Sequence, residues 1–150
     1  MHMMMWRETA SAEAQEDLDG LLDLTMTRAV EALGKRGELG PFSASIDTDG
    51  RSVLSMVGPE PGRGNNSSQA DLDELRRASR ENRQSLRAVA YVSVVTISGS
   101  DNAIRVESEH REGIALVVLV PYTRLRLRKQ LKLGEMRLQA GVVDIWAPEV

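Results

Sequence analysis

The chain has 150 residues, 41% of them hydrophobic and 27% charged, with 19 basic against 22 acidic side chains and a net charge of -3. That length fits one domain able to fold without a metal or disulfide staple. The absence of cysteine excludes disulfides, thiolate catalysis and cysteine-containing zinc sites, and the acidic balance argues against wholesale polyanion binding while leaving local patches open.

Residues 1–11, rich in Met, read as a flexible terminus and lack the basic-then-apolar pattern of a secretory signal. No window approaches 18 apolar residues, so a cytoplasmic protein without a membrane span is expected, with residues 12–150 as its single α+β domain. Over 12–33, Leu18, Leu21, Leu22, Met26, Ala29, Val30 and Leu33 recur at three- and four-residue steps, which predicts an amphipathic helix. Glu13, Glu16, Asp17, Asp19 and Asp23 near its start and Lys35 and Arg36 past its end complement the backbone dipole, and Gly34 and Gly37 are stop signals. The acidic run therefore reads as a solvated helix start, not as a metal site.

Two short alternating runs, 42–46 and 51–57, flank Asp47-Thr48-Asp49-Gly50 and predict a β-hairpin with Gly50 in a left-handed conformation. A calcium loop is excluded because Arg51 and Gly58 stand where oxygen ligands are required. The Pro/Gly/Asn/Ser-rich stretch 58–67 predicts a mobile surface loop, and its Gly62-x-Gly64 pair lacks the residues of a phosphate cradle. A second helix is predicted from Ser68 to about Leu86, with a thin stripe of Leu72, Leu75, Ser79 and Leu86 and an arginine-rich solvated face.

Residues 89–97, 104–110 and 114–120 are strand-like and joined by short turns, which predicts an antiparallel three-stranded meander whose last strand is interior. With the hairpin and a short edge strand over 142–146, the expectation is a single antiparallel sheet of five or six strands with the two helices packed on it. Its expected core includes Leu18, Leu22, Met26, Val30, Ile46, Leu75, Val92, Val94, Val106, Leu116 and Val118.

Two places could carry chemistry. His110 shares a strand face with Ser108, Val106 and Ile104, and is the histidine whose ordinary pKa invites acid/base work; as a lone His beside a Ser it reads first as a hydrogen-bonded structural residue. The segment 123–133 alternates Arg and Leu, and the stretch 122–140 holds six basic residues against Glu135. If extended, it sets Arg124, Arg126 and Arg128 on one face, with Lys132 nearby, as a ridge that could contact phosphates or an acidic partner. The simpler reading is an edge strand guarded by charge, or a basic segment answering the acidic first helix, because no aromatics are interleaved for base stacking.

The run from Leu39-Gly-Pro-Phe through Asp49-Gly50, a following helix, and Ala103-Ile-Arg-Val-Glu-Ser-Glu-His110 leading to Val120-Pro-Tyr122 resembles a group of small uncharacterised bacterial proteins over residues 39–122. The resemblance implies the fold and no activity, cofactor or site residue. The order of elements is also similar to that of roadblock and profilin-like modules, by topology alone.

These features predict a non-enzymatic interaction module that self-associates as a homo-oligomer, a dimer first, or binds another protein, with no cofactor, metal or catalytic residue assigned. The alternatives are polyanion or nucleic-acid binding through 124–137 and a small enzyme using His110.

Overall fold

The computed structural model describes residues 5–56, 68–99, 101–125 and 127–148, so the predicted loop 58–67 and Arg126 lie outside the described residues. Its elements are α1 (Met5–Thr9), α2 (Ala12–Arg36), β1 (Phe42–Asp47), β2 (Ser52–Met56), α3 (Ser68–Glu81), β3 (Leu86–Ser98), β4 (Asp101–His110), β5 (Ile114–Leu125), β6 (Gln130–Leu133) and β7 (Arg137–Ala140), with a 3-10 turn at Arg83–Ser85. The fold is α+β, and among the described residues no helix is long and apolar enough to cross a membrane.

All strand pairs are antiparallel, in the order β2-β1-β3-β4-β5, and the far edge of β5 is shared between β6 and β7. Among the described residues the sheet thus has seven strands, where five or six were expected. The extra strands arise because β5 does not stop at Pro121. β7 pairs with Leu116 to Leu119 and β6 with Tyr122 to Leu125, so the missing N–H of Pro121 falls between the two ladders and costs neither a rung. The expected hairpin is present: Asp47 Oδ1 accepts the Asp49 and Arg51 N–H groups, and Gly50 sits at φ 86°.

The predicted edge strand over 142–146 is absent. The backbone N–H groups of Asp144, Ile145 and Trp146 all donate to the Glu109 carboxylate at 3.0 Å. Successive N–H groups of a strand point to opposite sides, so three of them converging on one acceptor require a turn. That turn inserts Ile145, fully buried, beneath α3. α3 itself stops at Glu81, earlier than the predicted Leu86, because Leu86 already pairs with Asp47 as the first residue of β3.

The core lies mainly between α2 and one face of the sheet. Ala14, Leu18, Leu21, Thr25, Ala29 and Leu33 form the buried stripe, with Leu22, Met26 and Val30 half-buried at its margin. They meet Phe42, Ala44, Ile46, Ala88, Ala90, Val92, Ile104, Val106, Val118 and Val120. Thr25 Oγ1 donates to the Leu21 carbonyl at 2.7 Å, which removes the cost of a buried hydroxyl. On the opposite face, Leu72 and Leu75 of α3 cover Val89 and Tyr91.

Candidate functional site

β4 ends at His110, whose ring is fully buried against α2. Its Nδ1 accepts the Glu112 backbone N–H at 3.2 Å, which leaves the ring proton on Nε2, 3.0 Å from Asp17 Oδ2. The same carboxylate receives Arg87 in a fork, Nε to Oδ2 and Nη2 to Oδ1, both at 2.9 Å. That bond holds the Arg87 guanidinium above its ordinary pKa. Arg87, Asp17 and His110 therefore form one network, buried at Asp17 and His110 and partly buried at Arg87, that ties the first half of α2 to the end of the sheet. Among the described residues the imidazole nitrogens meet Asp17 and the Glu112 N–H, and Ser108 is not paired with either as a nucleophile would be.

Glu13, His110 and Glu112 bring ligand-type atoms within 4.8 Å of one another. Their chemistry does not favour a cation. The Nδ1 lone pair is spent on the Glu112 N–H, and Glu13 faces Arg111 at 3.4 Å and Arg87 at 3.9 Å. Glu112 serves α2 instead: it accepts both the backbone N–H and the hydroxyl of Ser11, while Ser11 Oγ caps the helix by accepting from Ala14 N at 3.0 Å. The Ser11 bonds hold the Glu112 carboxyl below its ordinary pKa.

The basic segment is divided by the fold. Arg124, on β5, lies over the C-terminal end of α2 and donates to the carbonyls of Leu33, Gly34 and Lys35 at 3.1–3.3 Å. It meets the helix at the end opposite to the acidic residues, where unpaired carbonyls attract a cation. Arg128 is exposed in the β5–β6 turn, and Lys132, exposed on β6, stands opposite Thr123 and so on the other face of the sheet from Arg124. Leu127, beside Arg128, is fully exposed at the tip of that turn.

The sheet edge that sequence reading did not single out is β2. All five residues of Ser52–Met56 are exposed, and among the described residues β1 is the only strand that pairs with them. Val53 is 51% and Met56 63% exposed, and Leu54 also reaches solvent. The sequence Ser-Val-Leu-Ser-Met holds no charge, which is the signal that could have marked it: natural edge strands are usually blunted by Lys, Pro or a bulge. No protein-family model, curated protein or solved structure matches the chain.

Proposed function

We propose that the protein is a non-enzymatic interaction module that self-associates through the outer edge of β2. The observation that supports this reading is an uncharged edge strand whose five residues are all exposed, Val53, Leu54 and Met56 among them. Such a strand presents a row of backbone donors and acceptors together with apolar side chains, and a second copy supplies the same pattern about a twofold axis. Centred on Leu54, antiparallel pairing sets Leu54 against its symmetry mate and Val53 against Ser55, so no like charges oppose one another. Polyanion binding through 124–137 is the weaker reading, because the Arg124 donors are already given to the α2 carbonyls.

Sedimentation equilibrium over roughly 1 to 100 μM, a range suited to a modest interface, is expected to show a monomer–dimer equilibrium. A Val53→Lys/Met56→Lys variant is expected to weaken it at least about tenfold, or ~1.4 kcal/mol, with the far-UV spectrum unchanged. A monomer throughout, or a dimer indifferent to the two lysines, refutes the reading. A monomer that pairs with a foreign strand peptide at this edge would assign the edge to another protein instead.

A further inference from the structure

On the α3 side of the sheet lies a cavity of about 440 Å³, walled by α3, by β3 to β5 and by the chain from Gln139 to Asp144. That is within the size range of small-molecule pockets, about 300 to 1,000 Å³. Two devices build its position. Glu109 pins the 144–146 turn, and Gly141 lets the chain pass so close to β5 that a Cβ there would stand 3.0 Å from the Ala115 and Leu116 backbone.

The wall of the cavity carries both charged and apolar residues. Arg76 from α3 and Arg105 from β4 both form ion pairs with Glu107, and among the described residues no other carboxylate pairs with either. The two remaining acids of the wall are committed elsewhere. Glu109 accepts three backbone N–H groups, and Asp144 is bound to Arg80 at 2.8 Å. Two guanidiniums bring on the order of ten N–H donors to about four acceptor positions on one carboxylate, in a half-buried space. Burial, and next the Arg76 cation, push the Arg105 guanidinium below its ordinary pKa. Arg76 is held in place by stacking 4.8 Å over the Tyr91 ring. Ala115, Val117 and Val143 are among the apolar residues of the wall.

We propose that this cavity binds a small organic acid, with its carboxylate received by Arg76 and Arg105 and its apolar body lying along Val117 and Val143. A planar carboxylate matches the guanidinium fork, and the incoming acid satisfies donors that Glu107 alone leaves over. This site stands apart from the β2 edge, so either can fail without the other.

The test is calorimetric titration of the full chain with benzoate, 4-phenylbutanoate and octanoate, alongside benzamide as the uncharged control and phenyl phosphate as the other anion. At least one acid is expected to bind below about 1 mM, and the amide at least about tenfold more weakly. Arg105→Gln is expected to weaken the acid about tenfold, Arg105→Lys less, and Glu107→Gln to strengthen it by removing the internal competitor. Far-UV spectra check that each variant folds, and amide chemical-shift changes at Val117 and Gly141 in the unaltered chain locate the ligand without any variant. Equal binding of acid and amide, binding of the phosphate alone, an acid indifferent to Arg105→Gln, or no shift at those amides up to about 10 mM ligand would overturn the proposal.

Discussion

Two aspartates on one helix separate a charge that holds the fold from one that does not. Asp17 is buried and meets Arg87 and His110, whereas Asp19 pairs with Arg7 in solvent at 2.9 Å. Removing Asp17 strands a buried imidazole N–H and a partly buried guanidinium, a loss of the kind that costs about 3 to 5 kcal/mol. Asp17→Ala is thus expected to lower the urea midpoint sharply, while Asp19→Ala leaves it unchanged within error. Similar losses in the two variants would mean that the network contributes little. The sequence allowed His110 to be read as a hydrogen-bonded structural residue, and its two nitrogens are so engaged. Its partner was not legible, because 93 residues separate Asp17 from His110 and five carboxylates of the helix start looked alike.

Among the elements, those defined by local periodicity were legible and those defined by a distant contact were not. α2, the β1–β2 hairpin and the β3–β5 meander follow from apolar spacing and turn residues. The 142–146 turn depends on a glutamate 35 to 37 residues away, and no pattern within the segment announces it. The end of α2 shows both influences. Gly34 looked like a local stop, yet it lies inside the helix, and a Cβ there would stand 2.9 Å from the carbonyl oxygen of Lys129 in the β5–β6 turn. Gly20 lies in the same helix with open space around it. Replacing glycine by alanine within an exposed helix normally stabilises by up to about 1 kcal/mol. Gly20→Ala is expected to raise the melting temperature on that ground. Gly34→Ala is expected to lower it, because the β5–β6 turn must move away and loosen the Arg124 cap. Shifts of the same sign in the two variants would show that the turn is not seated on the helix.

At the scale of the whole molecule, the two faces of the sheet are unequally covered, and this shapes the dependence of stability on pH. The α2 face carries the larger core, whereas the α3 face rests on Leu72, Leu75, Val89, Tyr91 and Ile145. Tyr91 is the one side chain of that smaller cluster that can ionise, and burial pushes its hydroxyl from 10.0 up to about 12. The folded state therefore holds the proton more tightly than the unfolded chain. The associated stability is fully present below pH 10 and is lost as the pH rises from 10 toward 12. A shift of this size corresponds to something on the order of 3 kcal/mol at the end of that window. Burial also raises the Tyr122 hydroxyl, so replacing Tyr91 alone cannot flatten the alkaline limb completely. Urea unfolding at pH values from about 9 to about 11.5 should show stability falling steeply in the natural chain and only shallowly in Tyr91→Phe, with the α3 side opening first by amide exchange. Parallel alkaline limbs in the two proteins would show that Tyr91 can ionise in place, and that the α3 face is open enough to water to solvate the phenolate.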